Sequence, residues 1–190
     1  MDLSPLAIGQ EVCAMRLFSL LLCTLLVCLL LPCCALGETI DADILTPIEM
    51  TPEAEGQVLD LYCGPTQGFY RHGEQALDTG KPYVLFGQYD CWAMAAQGTK
   101  DVFGPVGWVE AGSITDIPYE PQLGFEDGFA AMIEEAATAT NDPLGTAEAI
   151  AALEAGTPII VLAQLGEWIY VQCDIGDTPA RVFIPADTVF

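Results

Sequence analysis

Apolar residues in this chain fall into short runs separated by Gly, Pro and acidic residues, and one run occurs twice. Ala76 to Trp92, ALDTGKPYVLFGQYDCW, returns as ALEAGTPIIVLAQLGEW at Ala152 to Trp168. A constant offset of 76 relates Ala76/Ala152, Gly80/Gly156, Pro82/Pro158, Gln88/Gln164 and Trp92/Trp168 without a gap. A slip of one residue then aligns Gly107, Trp108 and Val109 with Val182, Phe183 and Ile184, and Ala111 with Ala186. Self-similarity of this kind predicts two copies of one small domain.

The pattern within each copy is that of strands. Val58 to Tyr62 is a short β-type run, ended by a loop that opens with Cys63-Gly64-Pro65 and carries Phe69, Tyr70 and Arg71. Gly80 and Pro82 bracket a turn. Tyr83 to Phe86 and Trp92 to Ala95 follow at a spacing suited to antiparallel neighbours, Gln97 to Pro105 reads as a loop, and Gly107 to Glu110 as a closing strand. In the second copy Ile159 to Leu162, Trp168 to Gln172 and Arg181 to Pro185 take these places. Phe129 to Ala139, FAAMIEEAATA, has helix propensity, yet its place in the repeat assigns it to a strand. Four or five short strands in about sixty residues predict a small closed barrel, so the chain is expected to be all-β.

The flanks read differently. Leu17 to Leu31 is almost unbroken apolar sequence, preceded by Arg16 and followed by small residues at Ala35 and Gly37. This predicts a signal peptide over 1–37 with Glu38 as the mature N-terminus, Met15 being an alternative start because MDLSPLAIGQEVCA carries no basic residue. A retained membrane anchor is the competing reading. Residues 38–56 hold Pro47, Pro52, six acids and no base, and are expected to be an acidic linker. Residues 116–128, with Pro118, Pro121, Gly124 and Gly128, are expected to join the two domains, 57–115 and 129–190.

Charge narrows the partners. A formal net charge of −22 over 190 residues repels polyphosphate, which excludes nucleic acid. Five of the eight cysteines precede residue 35; Cys63 and Cys91 lie in one copy and are able to pair, which would leave Cys173 alone. His72 is the only histidine, so no paired-His metal site forms within one chain. No hydrolase signature surrounds His72, Cys63 or Cys91. No catalytic residue, metal or cofactor is expected, with a small secreted hydrolase kept as a lesser alternative.

The order Cys63-Gly64-Pro65, Phe69-Tyr70-Arg71, Leu77, Gly80, Val84, Trp92 and Gly107-Trp108-Val109 resembles the bacterial SH3-like domain. Asn141-Asp142-Pro143-Leu144-Gly145, Leu153, Gly156-Thr157, Trp168, Tyr170-Val171 and Arg181 to Pro185 resemble it again, less closely, since Val182 stands where the family has Gly. The resemblance implies two five-stranded SH3-like barrels in tandem, non-catalytic and extracellular, binding a cell-wall peptide or extracellular protein. Once the signal is removed no membrane contact is implied; an anchored accessory protein of the envelope is the alternative. Aromatic side chains carry peptide recognition in such barrels, which nominates Tyr62, Phe69, Tyr70, Trp92 and Trp108 in the first copy. Trp92 doubles as a packing candidate, whereas Tyr70 and Trp108 are expected at exposed loop and strand-end positions. Nearby acids favour a basic or amine-bearing ligand.

Overall fold

A computed structural model describes residues 42–189, so the expected signal peptide and its cleavage site lie outside the described residues. The described residues belong to one compact unit, Ile40–Phe190. The chain is all-β. Its strands are β1 Asp43–Ile44, β2 Ile48–Met50, β3 Val58–Asp60, β4 Ala76–Asp78, β5 Tyr83–Tyr89, β6 Trp92–Thr99 and β7 Val102–Glu110, followed by a 3-10 turn at Ala111–Ser113. The second half continues with β8 Phe129–Met132, β9 Ala137–Ala139, β10 Ala151–Leu153, β11 Pro158–Leu165, β12 Trp168–Ile175 and β13 Thr178–Pro185, and a 3-10 turn at Ala186–Thr188. Phe129 to Ala139 is thus two strands, not a helix, as its position in the repeat required.

The ladders form separate sheets rather than a closed barrel. One runs β2-β5-β6-β7; another runs β1-β11-β12-β13 with β8 also on β11; β3-β4 and β9-β10 are two-stranded. Two-residue hairpin loops at Asp90-Cys91, Gly166-Glu167 and Gly176-Asp177 start with φ of 53°, 60° and 64°. Positive φ at that position matches the twist of the flanking strands, and glycine adopts it without steric cost.

Irregularities in pairing recur at the sequence offset. The β5/β6 register shifts between Leu85 and Gly87, and the β11/β12 register shifts between Val161 and Ala163. Each bulge adds one residue, Phe86 or Leu162, and both side chains are buried in the same cluster. The β6/β7 ladder has a further bulge in which Gly104 and Pro105 oppose Gln97, whereas β12/β13 pairs without interruption from Trp168↔Pro185 to Ile175↔Thr178. That extra residue is the one-residue slip seen in the sequence. Proline, which has no N–H to give a ladder, is tolerated there because a bulge leaves the residue unpaired.

The central strands are buried on both faces. Leu61, Leu77, Tyr83, Leu85, Ala93, Ala95, Val109 and Ile114 form a cluster within the first half. Leu153, Ile159, Val161, Ile169, Val171, Ile184 and Val189 occupy the corresponding places in the second. The opposite faces meet: Val84, Phe86, Met94, Ala96 and Trp108 pack with Leu162, Ala163, Tyr170 and Phe183 in one cluster across the halves. Two-sided burial explains why YVLF and VLA of Val161 to Ala163 run apolar without alternation; Ile160, just before the second run, is 42% exposed.

Both stretches expected as linkers take part in this joint, which corrects that expectation. Residues 43–44 pair in parallel with β11 of the second half, and Leu45 N–H donates to Gln164 O at 2.9 Å. The chain then crosses to the first half, where β2 pairs with β5. Correspondingly, Leu123 N–H donates to Gln88 O of the first half at 2.6 Å before β8 joins the second. Leu45 and Leu123 are both buried in the shared cluster. Each segment spends few residues on each half, so neither shows a sustained period. Gly87, at φ 149°, permits this crossing, because a Cβ there would lie 2.6 Å from Pro121 O.

The loops also dock reciprocally. Arg181 N–H donates to Cys63 O at 2.6 Å, and Val106 N–H donates to Asn141 O at 2.5 Å. In the shared core Trp108 Nε1 donates to the Tyr170 hydroxyl at 2.9 Å, with both residues buried. Trp108→Phe keeps most of the apolar volume but strands that hydroxyl, and is expected to cost about 1–3 kcal/mol in urea unfolding. Tyr170→Phe in the same background is expected to recover part of the loss. Equal and additive losses for the two substitutions would show the bond to be inert.

Candidate ligand-binding groove

Local pairing brings two of the nominated aromatics together beside an open groove, Tyr62 half-buried and Trp92 only 8% exposed, in the packing role expected for it. Tyr62 follows β3 and exchanges main-chain hydrogen bonds with Trp108 of β7, at 3.1 and 2.8 Å. Trp92 opens β6 opposite Glu110. Their rings meet edge to face with centroids 5.7 Å apart and planes at 86°. The Arg71 guanidinium lies 5.9 Å from the Tyr62 ring and is held by Asp60 at 2.6 Å. At the other end Gln67 Nε2 donates to Glu110 Oε1 at 3.4 Å. The result is an open groove of about 290 Å³ lined by Val58, Asp60, Tyr62, Gln67, Trp92 and Glu110 among others. Its floor is aromatic and its charged lining residues are acids.

The other nominated residues are elsewhere. Trp108 is fully buried, because the face of β7 that carries it packs on the second half. The expectation that it is exposed is corrected. Tyr70 packs against the second half's own cluster, and its N–H donates to Pro179 O at 2.8 Å. Phe69 lies under the Arg181 guanidinium at 5.5 Å and fills the space beside Gly64, where a Cβ would come within 1.9 Å of its ring. Phe69 and Tyr70, both half-buried, turn toward the other half, while Thr66 to Gly68 of the same loop are exposed. Glu110 was already read as an acid beside the nominated aromatics; Asp60 and Gln67 were not singled out from sequence, and their position beside Tyr62 and Trp92 becomes informative only once the loop is folded back.

The second half offers a different surface around its own tryptophan. A groove of about 470 Å³ is lined by Gln164, Glu167, Trp168, Pro185 and Asp187. Thr140 pairs with Phe183 as Tyr62 pairs with Trp108, and so stands where a tyrosine would be. Thr140 is buried, and its hydroxyl donates to Asp142. Trp168 therefore lacks the aromatic partner that Trp92 has.

Arg181 is a half-buried cation with no carboxylate partner among the described residues. Its guanidinium lies 5.5, 5.8 and 5.3 Å from the rings of Phe69, Trp108 and Phe125, and Nε donates to Gln172 Oε1 at 3.1 Å. Burial lowers its pKa. Aromatic faces from the first half and the connecting segment supply the negative potential that a carboxylate supplies elsewhere.

No known protein family matches this chain, and no curated protein or solved structure matches it.

The thiols follow the packing. Cys63, Cys91 and Cys173 are free, Cys91 exposed and the other two buried in the second half's cluster. Cys63 therefore faces away from Cys91, and the pairing left open by the sequence is not formed. His72 stacks at 6.4 Å on Tyr70. Among the described residues no group of three or more His, Cys, Asp or Glu is placed to hold a metal.

Burial pushes the Cys63 and Cys173 thiols up to about 11. An unfolded thiol ionises near about 8.5, so the unfolded chain loses these protons first. Stability from the two thiols is complete below about pH 8.5 and declines as pH rises toward 11. At pH 8 an alkylating reagent is expected to modify Cys91 and to spare Cys63 and Cys173 in the folded protein. The urea midpoint is expected to fall between pH 8 and pH 10.5, and to fall less in Cys63→Ala. Rapid native labelling of all three thiols would contradict the packing described.

Proposed function

We propose that the chain is a secreted, non-catalytic binding protein made of two SH3-like modules, recognising a cell-wall or extracellular peptide through the Tyr62–Trp92 groove of the first. The observation that carries this reading is the edge-to-face pair at 5.7 Å in an open groove whose charged lining residues are Asp60 and Glu110. Paired aromatic faces offer apolar area at low entropic cost to an extended chain, and the acids select a basic or amine-bearing one. The SH3-like assignment is supported by the order of elements. In both halves a two-stranded hairpin with a long loop precedes three antiparallel strands and a 3-10 turn, with one bulge in the same place. Thr140 in place of a tyrosine assigns binding to the first half and leaves the second as its structural companion. The leader read from the sequence supports export.

Retention on purified cell wall and affinity for lysine-containing peptides test the reading. Tyr62→Ala is expected to weaken binding about tenfold, and Trp168→Ala to leave it unchanged. Failure to bind cell wall or any such peptide, or an equal loss in Trp168→Ala, would refute it.

A further inference from the structure

Among the described residues strand β2 ends its sheet, with β5 on one side and no strand on the other. Its residues pair with Leu85, Val84 and Tyr83, so main-chain groups at alternate positions turn away from β5. Beside that open edge lies a groove of about 740 Å³, bounded by Ile48, Glu49 and Met50, by the turn through Pro52 and Glu55, and by Thr115, Asp116 and Pro118. Its walls are fixed to each other. Glu53 Oε1 accepts from Thr115 N–H at 2.7 Å, and Oε2 accepts from the Thr79 hydroxyl at 2.7 Å. Those bonds hold the Glu53 carboxyl below the usual range and keep it anionic. Glu49, Glu53, Glu55 and Asp116 line the groove, and no basic residue does. Tyr83, opposite Met50 and 1% exposed, has a hydroxyl with no hydrogen-bond partner.

We propose that this edge accepts one additional β-strand from a partner protein, an extended segment with lysine at alternate positions. Main-chain bonds to β2 supply its register, and its lysines meet the acids that flank the edge. An acidic segment, or the same edge of a second copy at net charge −22, is repelled. The site shares no residue with the Tyr62–Trp92 groove and stands independently of it.

A fluorescein-labelled Lys-Val-Lys-Val-Lys-Val-Lys peptide tests the proposal by anisotropy with the full chain. Two further versions carry N-methyl groups on the odd or the even amides, since strand pairing uses only one set. Saturable binding is expected, reduced at least about tenfold by one methylation pattern. Glu49→Gln/Glu55→Gln is expected to reduce it about three- to tenfold, with amide shifts at Ile48 to Met50 and no change in Tyr62→Ala. No binding, indifference to both methylation patterns, or shifts confined to Tyr62 and Trp92 would overturn the proposal. So would a concentration-dependent dimer blocked by the peptide, which would give the edge to a second copy.

Discussion

Two-sided burial of three strands in each half is the constraint on which this structure rests. A single small sheet with one apolar face is satisfied by its own hairpin and 3-10 turn, and the clusters around Leu77 and Leu153 do that work. The opposite faces, with Phe86, Met94 and Trp108 on one side and Leu162, Tyr170 and Phe183 on the other, have only each other. Exposing them would cost about 25 cal/mol for each Å² of apolar surface returned to water. Within the one compact unit, the two halves thereby gain a third cluster, shared between them, beside the one each has of its own.

The shared core also decides where polar groups are allowed. Trp108 and Tyr170 each bring one polar atom to the joint and satisfy each other. Arg181 sits at its margin, where a carboxylate would need its own desolvation and its own partners. Three aromatic rings answer the charge without adding a second buried ion. Its Nη1 has no hydrogen-bond partner, a cost the packing of the guanidinium plane must offset. In a chain with only five basic residues, placing one there fixes the loop around Phe69 onto the second half.

Much of this was legible in the sequence. The Ala76 to Trp92 repeat located β4 to β6 and β10 to β12, and repeat position overrode helix propensity at Phe129 to Ala139. The one-residue slip announced an insertion without locating it: the bulge at Gly104-Pro105 lies in Gln97 to Pro105, expected as a loop and found as the paired ends of β6 and β7 around a turn at Lys100-Asp101. The crossings at Leu45 and Leu123 were not legible, because a segment that contributes two or three residues to each half has no period to detect. Trp108 was misread for a related reason. Its neighbours Gly107 and Val109 gave a strand end, but a strand apolar on both faces does not say which face meets solvent. Of the nominated aromatics, Tyr62 and Trp92 came together; Phe69 and Tyr70 were drawn to the joint because their loop folds onto β13, a contact too long in sequence separation for local pattern to report.

The groove and the joint are mechanically connected through β7. Tyr62 is held by two main-chain bonds to Trp108, and the Trp108 side chain is locked on the far side by Tyr170. The Tyr62 ring thus stands on backbone tied directly to a strand of the shared core, and has correspondingly little freedom to lose. The second half inverts the arrangement: Thr140 holds the same backbone position against Phe183 but spends its side chain on Asp142. One half thus sets a half-buried Tyr62 edge to face against a buried Trp92 beside its groove, and the other contributes the packing that keeps that pair in place.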